Sequence, residues 1–156
     1  PDLLSLLART GVHTVALGLE SAVPRVLERS GKAIEPEAIR AAATTALAAG
    51  LDVELFSQYG LPGETRDDAL QTLRFVQDCG VEVRGNSNAQ QMQLYFGSAI
   101  IRNPGAHGIQ PLRDDLPPYL ALGDEFETEW MSRIEMDEVR AAWKAASTDG
   151  GKRIVS

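Results

Sequence analysis

The sequence predicts an α/β chain of about three βα units, a half-barrel or small open parallel sheet that runs into an irregular, helical C-terminal extension. Three observations carry this. Strand-like and helical segments alternate, and strands separated by helices form parallel βαβ units with right-handed crossovers. The 156 residues fall short of the roughly 250 that a complete eightfold barrel needs. Beyond Phe96 the alternation stops, because residues 97–118 hold four prolines and three glycines.

Each element has its own signal. Leu3, Leu6 and Leu7 share one face of a helix over residues 2–10, ended by Gly11. Val12 to Gly18 alternates, is rich in β-branched residues and reads as a buried strand. Residues 22–30 form a short helix with Pro24 near its start and Gly31 past its end. In the helix from Glu35 to Ala49, Pro36 suits the first turn, Ile39, Ala42, Ala43, Ala46 and Leu47 share a face, and Gly50 follows. Leu51 to Phe56 is the second strand. Thr65 and Asp68 form a capping pair for a helix that turns Leu70, Leu73 and Val76 inward and stops at Gly80. Gln91 to Phe96 is the third strand. Ser132 and Glu135 open a last helix, to about Ser147, with Val139, Ala142 and Trp143 on its apolar face.

Composition removes several functions. The net charge of −7 and the absence of a clustered basic face argue against a nucleic-acid partner. No apolar run approaches the roughly 20 residues of a membrane span, so no membrane partner is expected. A single cysteine, Cys79, excludes an internal disulfide or a site built from several of this chain's thiolates, and reads as a small buried hydrophobe. His13 and His107 have no carboxylate at ligand spacing, so they read as structural or solvent-exposed. Asp114, Asp115, Asp124, Glu125, Glu127 and Glu129 read as a solvated face; Tyr119, Phe126 and Trp130 among them pack the extension over the sheet.

Ligands of parallel α/β folds bind at the carboxyl ends of strands. Here those ends carry Gly18-Leu19-Glu20-Ser21, Tyr59-Gly60-Leu61-Pro62-Gly63-Glu64-Thr65 and Tyr95-Phe96-Gly97-Ser98. Glycine lets a backbone approach a ligand, and a neighbouring carboxylate or hydroxyl can bind sugar hydroxyls or an ammonium group. The same residues also read as a tight turn and a good helix start, with Glu20 and Glu64 as helix-start carboxylates.

Their order and spacing resemble the radical S-adenosylmethionine (radical SAM) superfamily. The resemblance rests on "GLES" after a strand, then "VLERSGK", then "AAGLDVELFSQYGLPGETRDDALQTLRFV", and covers about residues 1–110. "YFGSAIIRNPGAHGI" is similar to a later stretch of that family, with Phe96 and Ser98 in place of its common Pro and Thr. The branch most similar is the one often fused to a cobalamin-binding domain.

The resemblance implies a partial (β/α) barrel over residues 1–110 and a C-terminal extension over 111–156. It further implies that a [4Fe–4S] cluster reductively cleaves S-adenosylmethionine to a 5′-deoxyadenosyl radical, with cobalamin as a further cofactor and methyl transfer as one outcome. Glu20 and Ser21 are expected at the ribose or methionine end. Phe56, Gln58, Gly60, Pro62 and Gly63 are expected on the adenine side, with Gly60 leaving room for the ring. Gln91, Gln93 and Tyr95 are expected to face a small-molecule or peptide substrate, in a cytoplasmic enzyme. Lys32 aligns with a frequent lysine of the family, while its position in a turn reads first as that of a solvated cation.

The departure from the family is the cluster motif, since the chain holds no Cys-x3-Cys-x2-Cys and three thiolates must hold such a cluster. The expectation is therefore a C-terminal half, inactive alone, whose partner is the N-terminal half of the same barrel. The alternative is a non-catalytic half-barrel that binds a nucleoside or a protein. A half-barrel leaves sheet edges unpaired, so the isolated chain is expected to be marginally stable or to self-associate. Size-exclusion chromatography and thermal melting check this; a monomer with a sharp cooperative transition refutes it.

Overall fold

The computed structural model describes residues 3–84, 89–95, 97–111 and 126–147. Helix α1 (Leu3–Arg9) leads to strand β1 (Thr14–Glu20), and α2 (Pro24–Arg29) and α3 (Pro36–Ala48) cross to β2 (Asp52–Tyr59). Helix α4 (Arg66–Asp78) then crosses to β3 (Ala89–Gln91). The sheet order is β1-β2-β3, and both pairings are parallel. The expected α/β architecture of about three βα units is therefore present. Parallel neighbours cannot be joined by a tight hairpin and need a crossover of a dozen or more residues, which α2 with α3 and then α4 supply.

Helix α4 shows how locally the sequence acts. The Thr65 hydroxyl accepts the Asp68 N–H at 3.3 Å, and Asp68 Oδ2 accepts the Thr65 N–H at 2.8 Å. Two helix-start donors are thereby satisfied, and Ala69, Thr72, Leu73, Phe75 and Val76 turn into the core. Asp68 also pairs with Arg25 of α2, whose Nη1 donates to the Gly63 carbonyl at 2.7 Å. Burial raises the Asp68 pKa more than any other single influence, yet the hydrogen bonds from Thr65 and Arg25 together hold it below its ordinary value. A second bond set joins the turn after β1 to α4. The Ala22 N–H donates to the Thr72 hydroxyl at 3.0 Å, and the Val23 N–H donates to the Ser21 hydroxyl at 3.2 Å.

Four expectations need correction. β1 is not buried: Thr14, Ala16 and Gly18 are exposed and only Leu19 is fully enclosed. β1 is hydrogen-bonded to β2 alone, and its open face has no covering layer among the described residues. β2 extends three residues beyond Phe56 because Ser57, Gln58 and Tyr59 pair with Ala89, Gln90 and Gln91. The third strand therefore lies earlier than Gln91–Phe96. The Met92 N–H still reaches the Tyr59 carbonyl at 2.8 Å, but the paired strand ends at Gln91, and Phe96 lies outside the described residues. Leu47 is exposed, because α3 packs through Ala43 and Ala46 instead.

After β3 come α5 (Ala99–Arg102), a 3₁₀ turn (Pro104–His107) and β4 (Ile109–Pro111), which pairs antiparallel with β5 (Phe126–Thr128). Helix α6 (Arg133–Ala146) follows, with its Ser132–Glu135 capping box formed and Met136, Val139 and Trp143 buried. Phe126 is fully enclosed, so the extension does pack on the sheet assembly. Asp114, Asp115, Tyr119, Asp124 and Glu125 lie outside the described residues.

Replacing Leu55, fully buried at the centre of β2, with Ala is expected to lower the unfolding free energy by about 2–5 kcal/mol. Leu6→Ser on α1, which has no buried residue, is expected to change it by less than about 0.5 kcal/mol. Denaturant unfolding of the two variants checks both values.

Candidate functional site

The β1–β2 register runs from Thr14 opposite Asp52 to Gly18 opposite Phe56, then slips so that Glu20 faces Ser57. Leu19 is the residue left over and goes into the core, completely enclosed. Glu20 absorbs the slip with a φ of 62°, the sole described non-glycine residue in the left-handed region. A β strand ends with such a conformation at a cost of about 1–3 kcal/mol. The result is a carboxylate turned onto the open face of the sheet.

Two neighbours hold that carboxylate. Gln58 of β2 donates from Nε2 to Glu20 Oε2 at 2.7 Å. Lys32, in the turn after α2, places Nζ 3.3 Å from Glu20 Oε1. The trio stands at the carboxyl ends of β1 and β2 on a cavity of about 730 Å³, a size suited to a small organic ligand. Phe56 and Pro62 supply apolar wall, and Gln91, Gln93 and Tyr95 line the side beneath β3. Phe56 and Tyr95 are large aromatic side chains left exposed there.

Gln91 is set from behind. Its Oε1 accepts from Arg133 Nη1 at 3.2 Å and from Arg140 Nη2 at 3.3 Å, both on α6. Reversing the amide would face its NH₂ toward two guanidinium groups, so the arginines fix its orientation. Gln91 Nε2 is buried without a hydrogen-bond partner among the described residues.

Of the ten residues singled out from the sequence, seven line the cavity: Glu20, Phe56, Gln58, Pro62, Gln91, Gln93 and Tyr95. The other three serve the walls. Ser21 is completely buried; its hydroxyl accepts the Val23 N–H and lies 3.4 Å from the Thr72 hydroxyl, so it ties the turn to α4 rather than meeting a ligand. A Cβ on Gly60 would come within 3.2 Å of Met136 Cε, so the space it leaves is taken by α6 and not by a flat ring. A Cβ on Gly63 would lie 2.6 Å from Arg29 Cδ, and its φ is +81°. Gly63 therefore makes way for Arg29. Sequence reasoning missed Arg29 and His107 as cavity residues, for their neighbours come from distant parts of the chain. Lys32 had a signal in its alignment with the family lysine.

Glu64 follows the turn and has no part in the cavity. It is fully buried; Oε2 accepts the Leu61 N–H at 3.2 Å and Oε1 has no partner among the described residues. Burial raises its pKa to about 8, against the opposing influence of backbone hydrogen bonds from Leu61 and Gly60. Cys79 lies at the C-terminal end of α4, on the amino edge of the sheet and away from the cavity, with its thiol raised by burial. Among the described residues no three His, Cys, Asp or Glu side chains are grouped to hold a metal ion. No described helix is long and apolar enough to cross a membrane.

Residues 1–76 match the radical SAM superfamily. The heme chaperone HemW of Mycobacterium tuberculosis is 32% identical over 103 residues, which cover 65% of this chain and 26% of that protein. An uncharacterized methyltransferase of Pyrococcus horikoshii is 39% identical over 72 residues, 46% of this chain and 16% of that one. The chain thus spans about a quarter or less of these relatives' lengths. Among solved structures, coproporphyrinogen III oxidase (HemN) of Escherichia coli superposes with a TM-score of 0.62, at 16% identity, over 93% of this chain and 29% of its own. The radical S-adenosylmethionine methyltransferase TsrM of Kitasatospora setae, with cobalamin and a [4Fe–4S] cluster bound, gives 0.63, at 16% identity, over 92% and 33%.

Glu64 generates a pH prediction. Its folded pKa of about 8 lies above the ordinary 4.5, so the native state holds a proton that the unfolded chain releases between those values. Its contribution to stability is full below about pH 4.5 and is lost as the pH rises through about 8. Glu64→Gln keeps an acceptor for Leu61 without a charge. It is expected to exceed the wild type in stability at pH 8.5 by a few kcal/mol, on the order of one to five, and to match it near pH 4. Thermal melts of both proteins across this range measure the difference.

Proposed function

Residues 1–76 belong to the radical SAM superfamily, and from that premise we propose that the chain is the S-adenosylmethionine- and substrate-binding half of a radical SAM enzyme. The observation that supports this most is the convergence of Glu20, Gln58 and Lys32 on one cavity at the strand ends. A nucleoside presents vicinal hydroxyls, a flat base and a polar tail. The Glu20 carboxylate has lone pairs for ribose hydroxyls beyond the two bonds it already accepts. Phe56 and Pro62 offer the apolar surface that a purine stacks on. These side chains fit the group; when bound and reductively cleaved it supplies a 5′-deoxyadenosyl radical.

The iron–sulfur cluster does not fit this chain. A cluster site needs several thiolates, and the one cysteine is buried on the far edge of the sheet. Accordingly the proposal assigns the cluster to a partner, the N-terminal half of the same barrel. Two surfaces suit that partner. The outer edge of β1 has no strand beside it among the described residues, and α1 exposes Leu3 at 68% and Leu6 at 47%. An added strand would continue the parallel sheet and cover the apolar face of α1. The substrate of the whole enzyme is a small molecule or peptide on the Gln93–Tyr95 side. Methyl transfer is the version favoured by the identity with the methyltransferase relative, and cobalamin is the further cofactor proposed with it.

A second reading is a nucleoside- or protein-binding module without radical chemistry. The 32% identity with a protein named a heme chaperone favours it. Both readings need the cavity; cleavage of S-adenosylmethionine by the chain joined to a cluster-bearing half separates them.

Glu20→Ala is expected to weaken S-adenosylmethionine binding by about tenfold or more, the loss typical of hydrogen bonds to a charged group. Glu64→Gln, outside the cavity, is expected to change it less than about twofold. Isothermal titration calorimetry at pH 7 compares them, and equal losses would remove the role given to Glu20.

A further inference from the structure

The cavity wall is divided by charge. Its ionised side chains, Glu20, Arg29 and Lys32, all come from the segment between the end of β1 and the turn after α2. Strand β3 lies across β2 from them, and the stretch from residue 90 to 107 brings no carboxylate, lysine or arginine to the wall. It brings neutral polar ends instead, the amide of Gln93, the phenol of Tyr95 and the imidazole of His107. None of these three side chains has a hydrogen-bond partner among the described residues.

The backbone that presents them is itself held. Gln93 and Tyr95 flank Leu94, which is 2% exposed, so burial of the residue between them turns both toward the cavity. His107 ends the 3₁₀ turn. Gly108 after it has a φ of +65°, and a Cβ there would lie 2.3 Å from Cη2 of Trp130, which packs directly on the backbone. The Gly108 carbonyl also accepts the Glu129 N–H at 2.9 Å. His107 is thus half-buried beside an anchored glycine, while 63% of Tyr95 stays uncovered.

A charged ligand group on this flank would give up water and meet no opposite charge. A phenol presents a flat apolar face with a polar tip, and aromatic rings pack well on it. Amide, hydroxyl and neutral imidazole each both donate and accept hydrogen bonds. We infer that the flank from Gln93 to His107 is the subsite for an uncharged heteroaromatic ring of the substrate, with Tyr95 stacked on the ring and Gln93 and His107 bonding its polar edge. The subsite rests on the reading of the cavity as a cofactor and substrate site, and it narrows the substrate to a molecule that carries such a ring.

The test uses the full chain and three probes of one size class. These are 2-pyridone, an uncharged aromatic lactam, 2-pyridone-5-carboxylate, the same ring as an anion, and 2-piperidone, the same lactam without aromaticity. Binding is followed by the Cε1–H resonance of His107, one of two histidine signals, assigned with His107→Gln. Calorimetry of S-adenosylhomocysteine runs beside it. The expected result is a saturable 2-pyridone shift that persists in protein saturated with S-adenosylhomocysteine. The carboxylate and 2-piperidone are each expected to bind at least about fivefold more weakly, and Tyr95→Leu, which keeps apolar bulk without the ring, to lose about fivefold for 2-pyridone. Equal or tighter binding of the carboxylate overturns the inference, as does 2-piperidone matching 2-pyridone, or Tyr95→Leu leaving the affinity unchanged. Loss of the shift on saturation also overturns it, because the ring would then occupy the nucleoside's place. Should S-adenosylhomocysteine fail to bind while the ring preference and the Tyr95 dependence hold, the nucleoside reading fails and the subsite stands. If S-adenosylhomocysteine binds and 2-pyridone does not, the subsite alone fails; if neither binds, both fail.

Discussion

The slip in the parallel register between β1 and β2 is the constraint on which the site depends. Gly18 pairs with Phe56, yet Glu20 pairs with Ser57, and the residue left over, Leu19, is driven into the core. Hydrophobic burial of Leu19, worth about 1.5–3 kcal/mol, is of the same order as the strain of a left-handed Glu20. Without the slip, strand alternation alone would decide where the carboxylate points. With it, Glu20 reaches Gln58 on the neighbouring strand and Lys32 beyond α2.

The elements behind the cavity act as a frame for a few polar atoms. The Thr65–Asp68 cap starts α4, and Arg25 links α2 to the same aspartate. The Ser21–Thr72 set locks the turn after β1 against that helix. On the other flank α6 fills the space beside Gly60 with Met136 and aims Arg133 and Arg140 at Gln91. Polar side chains so held lose little freedom when a ligand arrives, which is how a rigid scaffold turns modest hydrogen bonds into recognition. The C-terminal extension is therefore part of the site's support, although its sequence carries none of the strand-end motifs.

Much of the frame was legible because its signals are local. A Thr with an Asp three residues on, or a Ser with a Glu, caps a helix through atoms within one turn, and both boxes form. Strand β2 was recognised by alternation, but its last three residues are polar or aromatic and become strand only by pairing with β3. The segment after Gln91 has a strand-like composition, but residue pairing with β2 ends at Gln91, and past it the Met92 N–H alone, among the described residues, still reaches the Tyr59 carbonyl. β1 looked buried because β-branched residues favour strands in general, and composition says nothing about which side of a strand has neighbours.

The sequence by itself determined the alternation of helices and parallel strands, the caps, and the clustering of Glu20, Gln58 and Gln91 at strand ends. These follow from periodicity and from bonds a few residues long. Tertiary structure alone decided which of the marked residues face the cavity. Ser21 was turned into a buried turn, the space beside Gly60 went to Met136, and Gly63 gave room to Arg29. It also stacked Arg29 on Trp130. The physical reason is common to all four: a side chain's partner across the fold comes from an element far away in the chain, and no local pattern records where close packing will place it.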